Sequence, residues 1–410
     1  MNERRVVVTG MGAITPIGCN TAAYWEGLLS CRSGIAAIRG FDASPFDVRI
    51  GGECRDFDAA AWIDVRSAKR MDRFAQFAYV GARMAAADAG LTAGSVEPTR
   101  AGVIVGSGIG GIAEIEEQHL RLLAKGPSKV SAFTIPKLMG NAGAGHVSIA
   151  LNFQGVNTTV VTACASAGNA MGDAFNAIRW NKADVVMTGG SEAAVTPIAM
   201  AAFAAMKALS CRNDDPTHAS RPFDKDRDGF VLSEGAGLLA FEEYEHARRR
   251  GARIYAEVIG FGATADAGDM VQPDPQGRGG ARAMVAALAD AHLNPTDVDY
   301  INAHGTSTPL GDIAETRAIK GVFGRHAYAL AVSSTKSATG HLLGASGGIE
   351  AIATALALVN GTLPPTINLV ETDPECDLDY VPNTPRDRNI RIGMSNSFGF
   401  GGHNASIIFR

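Results

Sequence analysis

No Cys-x-x-Cys pair occurs in this chain; its six cysteines stand apart at 19, 31, 54, 164, 211 and 376. That spacing excludes a zinc ribbon, a thioredoxin-like redox pair and a disulfide scaffold, and it implies a reducing, cytoplasmic setting. No run of roughly 18 apolar residues is read in the sequence, so no span across a bilayer is expected. Met1 to Val8 is basic but lacks the apolar core of a secretory leader, so no signal peptide is expected. Neither charge sign dominates: 37 Lys and Arg face 42 Asp and Glu, for a net charge of −5. Nothing global therefore points to nucleic acid or a membrane surface. Low-complexity tracts and long linkers are also missing, and Ala265–Gly277 is the one Pro-rich piece that reads as a mobile loop.

What the chain has is length and small residues. Its 410 residues are enough for one large core or two fused ones, and its 48 glycines suit tight turns and close helix packing. Val6–Thr9, Gly102–Val105, Thr158–Val161 and Asp184–Thr188 read as buried strands. Phe74–Ala89, Ile112–Leu123, Met139–Leu151 and Ala167–Trp180 read as helices. The same grammar returns after Gly251. Strands are expected at Ala256–Gly260, Tyr300–Asn302 and Leu330–Ser333, with helices at Gly280–His292, Ile313–Val322 and Ala345–Val359. Ile390–Met394 and Ala405–Phe409 close the chain as strands. This alternation predicts an α/β protein. A boundary falls near Arg248–Gly251, which divides the chain into halves 1–250 and 251–410. A faint echo supports two similar halves: Thr159–Cys164 followed by Ala-Ser-Ala-Gly parallels Val332–Lys336 followed by Ser-Ala-Thr-Gly.

Three short motifs fail in context. Gly106-Ser-Gly108-Ile-Gly-Gly111 fits a dinucleotide fingerprint, but a basic loop, Lys125–Lys129, stands where a second strand ending in an acid is needed. Asp224-Lys-Asp226-Arg-Asp228-Gly229 opens like a calcium loop, yet the bidentate acid's place is Gly235, so a salt-bridged turn is expected. Gly344-Ala-Ser346-Gly-Gly348 fits a nucleophile elbow, but no strand runs straight into it, and a close-packed helix start is expected.

One constellation remains. Thr158–Gly168 sets Cys164 where a strand turns into a helix, among Ala163, Ala165, Ala167 and Gly168. A helix N-terminus favours thiolate over thiol, and its free amides can hold an oxyanion. Cysteine is also a common buried residue, so position alone leaves both readings open. His304, in Ala303-His-Gly-Thr-Ser-Thr308, and His341, in Lys336-Ser-Ala-Thr-Gly-His341, occupy small-residue loops. Each loop is predicted at the carboxyl end of a strand, where α/β proteins place chemistry. Six other histidines, at 119, 146, 218, 246, 292 and 326, lack that setting. Ser397–Asn404 holds three glycines among apolar residues; it can bring amides close to a ligand or simply form a hairpin turn.

Taken together these segments resemble the β-ketoacyl synthases of fatty-acid and polyketide assembly, over nearly the whole chain. The match runs from Val8-Thr-Gly-Met-Gly12 through Ala163-Cys-Ala-Ser-Ala-Gly168, Arg221–Phe230, Asn302–Thr308 and Ser333–His341 to Gly401-Gly-His-Asn404. Within that family the chain is most similar to elongating synthases of type II. The resemblance implies a thiolase-type, five-layered α-β-α-β-α sandwich of two similar halves, and usually a homodimer. The 1–250 half would carry the nucleophilic cysteine and the 251–410 half the two catalytic histidines. Initiating synthases (Cys, His, Asn), thiolases (a second Cys) and non-catalytic chain-length partners (no Cys) do not fit. His403 departs from the threonine usual there.

The resemblance also assigns roles. Cys164 would attack an acyl-carrier thioester, with the amides of Cys164 and Phe400 holding the oxyanion. His304 and His341 would donate N–H to a malonyl thioester as carbon dioxide leaves. Lys336 and Glu350 would pair and position the histidine loop, with Asp312 and Phe398 as further supports. Thr306 and Thr308 would hold the pantetheine arm, and Ile109 and Phe203 would line the acyl pocket. Acyl carrier protein would dock through Arg66, Lys69, Arg70, Lys129 and Lys207. No metal or other cofactor is implied. A polyketide ketosynthase and a silent partner subunit are the alternatives.

Overall fold

The computed structural model describes residues 3–92 and 94–410, so Met1 and Asn2, the first residues of the segment read as carrying no leader, lie outside it. Ten strands form one sheet: β1 (Val6–Ile14), β2 (Ala101–Gly106), β3 (Asn157–Val160), β4 (Val185–Glu192), β5 (Gly235–Glu243), β6 (Ala256–Ala265), β7 (Tyr300–Asn302), β8 (Ala331–Ser333), β9 (Gly393–Gly399) and β10 (His403–Phe409). Their spatial order is β8-β7-β9-β10-β6-β1-β5-β4-β2-β3. Numbered from its own first strand, each set of five runs 3-2-4-5-1, so the later half repeats the topology of the earlier one. The two sets meet where β1 pairs antiparallel with β6, Val6 opposite Val258 and Val8 opposite Ala256.

Helices complete the five layers. α1 (Arg73–Asp88) and α2 (Ala142–Leu151) pack on the outer face of the first set, and α4 (Arg278–Asp290) and α5 (Pro309–Phe323) on that of the second. Between the sets lie α3 (Ser166–Arg179) and α6 (Ser346–Asn360). α6 is small and apolar on nearly every face, as a helix must be when strands press on both sides, whereas α3 keeps a polar edge with Asp173 exposed. Glycine allows the closest approach: a Cβ on Gly237 of β5 would sit 2.2 Å from the Ile349 nitrogen of α6. Burying a side chain such as Ile349 contributes about 1.5–3 kcal/mol.

Leu343–Asn360 is long and apolar enough to span a membrane, against the expectation that no such stretch exists. It is 83% buried in the middle of the protein, and its composition reflects that packing. Three further expectations shift. β3, read as a buried strand, is an exposed edge strand whose only partner is β2. The helix expected from Met139 starts at Ala142, after a break that includes Gly140. The strand expected at Ile390–Met394 runs instead over Gly393–Gly399.

The echo between halves is real but displaced. Ala163 and Leu343 both take left-handed φ, 49° and 46°, each as the first residue of a short 3-10 turn into α3 or α6. Ser166 and Ser346 then accept from the amides of Thr162 and Leu342, both at 2.9 Å. Cys164 therefore corresponds to Gly344, not to the Lys336 region. A short helix, Lys336–Thr339, intervenes in the second half only and hides the correspondence.

Candidate active site

Cys164 sits on the turn into α3, as expected, and is 8% exposed. Its pKa does not follow the expected helix-terminus effect. Burial pushes the thiol up to about 12, and the Lys336 charge and the amides of Phe400 and Cys164 only partly oppose it. At rest the sulfur therefore keeps its proton. Those two amides nevertheless flank the sulfur, the placement that an oxyanion hole beside it needs. Phe400 is brought there by the hairpin between β9 and β10, so the glycine-rich segment is both a hairpin turn and part of the site. Gly399 makes this possible: a Cβ there would lie 3.0 Å from the Cys164 nitrogen. The His403 ring lies beside Gly401, where φ is 80°.

His304 follows β7, and His341 follows the short helix Lys336–Thr339. Their rings meet edge to face, with centroids 5.4 Å apart. Burial, with the Lys336 charge behind it, holds both well below the usual imidazole range, and His341 adds to the effect on His304. Two neutral imidazoles result. Ser346 Oγ accepts from the Leu342 amide, and its own hydrogen has His341 Nδ1, 2.9 Å away, as its partner. Neutral His341 then carries its hydrogen on Nε2, as a donor to the cavity that it lines.

Of the supports, Lys336, Glu350 and Asp312 are buried, while Phe398 is half-buried and faces the cavity. Lys336 pairs with Glu350 and donates to the His304 carbonyl at 2.6 Å. Asp312 accepts from the amides of Phe223 and Ser307 at 2.8 and 3.2 Å, and burial pushes its carboxyl up to about 7. Phe398 lies 5.8 Å from the His304 ring, centroid to centroid.

A cavity of about 530 Å³ joins Cys164, His304 and His341 to Ile109, Phe203, Thr306, Thr308, Phe398 and Phe400. The two threonine hydroxyls are 3.0 Å apart. Phe203 packs edge to face on Phe230, centroids 5.4 Å apart. Asp266 to Asp274, in the segment read as a mobile loop, also borders the cavity, and the Gly401 amide donates to the Met270 carbonyl at 2.7 Å. Arg66, Lys69, Arg70, Lys129 and Lys207 are all exposed. Of these, only Lys207 lines the cavity, and Arg70 lies over the Phe133 ring at 4.9 Å.

The rejected motifs have other occupations. The Gly106–Gly111 turn presents amides, but the Glu192 carboxylate already accepts them, which leaves no place for a pyrophosphate. Asp224 caps the amides of Val370 and Glu371, and Arg227 binds Asp373, as a salt-bridged turn should. Among the described residues no group of three or more potential metal ligands is present. Gly344, Gly347 and Gly348 are close-packed at the start of α6.

Sequence reasoning missed three residues. Glu315 accepts from the amides of His304 and Gly305 at 2.9 and 2.7 Å and so fixes the histidine loop. Ser346 orients His341. Glu192 ties Ser107–Ile109 to Gly344. The available hint was an acid or hydroxyl at the end of a strand or in the first turns of a helix beside a candidate loop.

Comparison with known proteins agrees with this geometry. Residues 3–247 match the "Beta-ketoacyl synthase, N-terminal domain" model and residues 255–370 the "Beta-ketoacyl synthase, C-terminal domain" model. The chain is 53% identical to a Synechocystis protein named 3-oxoacyl-[acyl-carrier-protein] synthase 2, with 100% of this chain and 99% of that one covered. It is 51% identical to the protein of that name from Staphylococcus aureus, with 100% and 98% covered. Among solved structures it is similar to a type II PKS acyl-carrier protein in complex with its ketosynthase bound to the hexaketide, at a TM-score of 0.93 and 35% identity, covering 100% of this chain and 99% of that one. A β-ketoacyl synthase from Burkholderia phymatum gives a TM-score of 0.92 at 36% identity, with 99% of each chain covered.

Proposed function

The chain belongs to the β-ketoacyl synthase family, and on that premise we propose that it is an elongating 3-oxoacyl-[acyl-carrier-protein] synthase of fatty-acid biosynthesis. The observation that supports this best is the cavity holding Cys164 together with two neutral histidines. In the first step the Cys164 sulfur gives up its proton and attacks an acyl-carrier thioester. The amides of Cys164 and Phe400 receive the oxyanion, the carrier thiol leaves with a proton, and an acyl-Cys164 thioester remains. Loss of one such donor costs about 3–4 kcal/mol of barrier.

A malonyl carrier then enters. Its thioester oxygen accepts hydrogen bonds from His304 and His341. As the bond to the carboxylate breaks, carbon dioxide departs and its electron pair becomes an enolate held by those donors. The enolate carbon attacks the acyl carbon, the bond to Cys164 sulfur breaks, the sulfur takes up a proton from solvent, and a β-ketoacyl carrier two carbons longer leaves. Only neutral imidazoles can offer N–H here without adding two buried positive charges next to Lys336.

The remaining assignments belong to the same proposal: Thr306 and Thr308 for the pantetheine arm, Ile109 and Phe203 for the acyl chain, and Lys336, Glu350, Asp312 and Phe398 as supports. The halves 1–250 and 251–410 carry the cysteine and the histidines respectively. Acyl carrier protein docks on the exposed basic residues at 66, 69, 70, 129 and 207. The protein works in the cytoplasm as a homodimer, a reading supported by the free edge of β3 and by Val161, 60% exposed beside it. The test is condensation by the purified chain alone with acyl and malonyl carriers. Carbon dioxide and a β-ketoacyl product are expected. A chain that decarboxylates malonyl carrier yet never condenses would overturn the proposal.

A further inference from the structure

Glu192 is the last residue of β4 and is fully buried, yet none of the steps above uses it. Among the described residues its carboxylate has four donors and no cationic partner. Oε2 accepts from the Gly108 amide at 2.6 Å and the Gly344 amide at 3.0 Å. Oε1 accepts from the Ser107 hydroxyl at 3.1 Å and the Ile109 amide at 3.2 Å. Ser107 Oγ in turn accepts from the Gly110 amide at 3.1 Å.

One carboxylate thus fixes every residue of the Ser107–Gly110 turn and fastens that turn to the start of α6. The contact is tight enough to demand glycine on both sides. A Cβ on Gly344 would lie 2.3 Å from the Gly108 nitrogen, and one on Gly108 would lie 2.8 Å from Glu192 Oε2. Within this turn, Ile109 is the residue whose side chain reaches the cavity beside Cys164; it is 40% exposed and lines that space with Phe203. A buried carboxylate held by three amides and a hydroxyl is costly to displace, because each lost hydrogen bond leaves polar groups unpaired. The turn therefore behaves as a rigid mount for Ile109.

We propose that Glu192 is a positioning residue for acyl-chain length, holding Ile109 as a fixed wall of the pocket through the Ser107–Gly110 turn. This inference rests on the synthase reading given above. A fixed wall resists a long chain that must push it aside, and a loosened wall yields.

Glu192→Gln keeps the size of the side chain but turns an NH2 group toward amide donors, so part of the anchor is lost. The measurement is kcat/KM with six-carbon and fourteen-carbon acyl carriers. The ratio of fourteen-carbon to six-carbon values should rise about tenfold, the scale of one or two lost hydrogen bonds to a charged group. The change should lie mainly in KM for the acyl carrier. In an Ile109→Ala background the same substitution should leave the ratio unchanged, because the wall it positions is gone. Ser107→Ala, which removes one donor, should move the ratio the same way by a smaller factor and serves if Glu192→Gln does not fold. A ratio that stays constant or falls, or a shift that persists in the Ile109→Ala background, would overturn the inference. Failure of the unaltered protein to condense any carrier would instead overturn the synthase reading.

Discussion

The chemistry here depends on two imidazoles that must stay neutral and one sulfur that must lose a proton only on demand. Burial does both. It holds His304 and His341 below their usual range and lifts Cys164 to about 12. A raised thiol pKa has a definite sign: the thiolate fraction grows about tenfold per pH unit until the pKa is reached. Alkylation of Cys164 by iodoacetamide should therefore keep accelerating between pH 7 and pH 9; a plateau already reached at neutral pH would show that the helix terminus outweighs burial. The histidines divide from the cysteine by step. His304→Ala and His341→Ala should depress malonyl decarboxylation far more than formation of acyl-Cys164, since enolate charge develops only in the second step. Ser346→Ala, which frees His341 Nδ1, should cost about tenfold in decarboxylation, the worth of one lost hydrogen bond. Equal losses in both half-reactions would argue against this division.

At the scale of elements, two turns into two middle helices carry the site, and glycines decide what can touch them. Ile109→Phe places a ring on the turn that Glu192 anchors. Long acyl chains should fail steeply while short ones are barely affected, because each methylene denied burial forfeits about 0.8 kcal/mol and overlap costs more. Parallel losses with six-carbon and fourteen-carbon carriers would make Ile109 a core residue instead. The elements themselves were largely legible. Alternation of β-branched runs with small-residue stretches marked the α/β layers, and Cys164, His304 and His341 stood out because each lies in a small-residue loop downstream of a strand, although a short helix separates His341 from its strand. The carboxylates behind them were not legible. Glu192 reaches Gly344 across 152 positions, a pairing that exists only once α6 is packed between the strand sets. Edge and centre strands also read alike in a sequence, which is why the exposure of β3 is not legible there. The cysteine's pKa was misjudged because a sequence shows the helix start but not how deeply it lies.

The whole molecule carries a net charge of −5, yet the docking proposal rests on five exposed cations. Local potential governs encounter more than net charge does, and ions screen it within about 8–10 Å at physiological salt. Association with acyl carrier should slow as salt rises, and reversing Lys129 and Lys207 together should weaken it further; insensitivity to both would move the docking face elsewhere. The repeated strand order in the two halves explains why the nucleophile and the histidines converge: the turn bearing Cys164 and the one beginning at Gly344 occupy matching places on either side of the middle helices. The central claim is that Cys164 carries the acyl chain between the two steps. Intact mass of the protein after exposure to acyl carriers, followed by peptide mapping, tests it most directly. One acyl group should appear, on the peptide holding Cys164, and discharge when malonyl carrier is added, while Cys164→Ala takes up none. Acylation at another residue, or condensation by the Cys164→Ala protein, would contradict it.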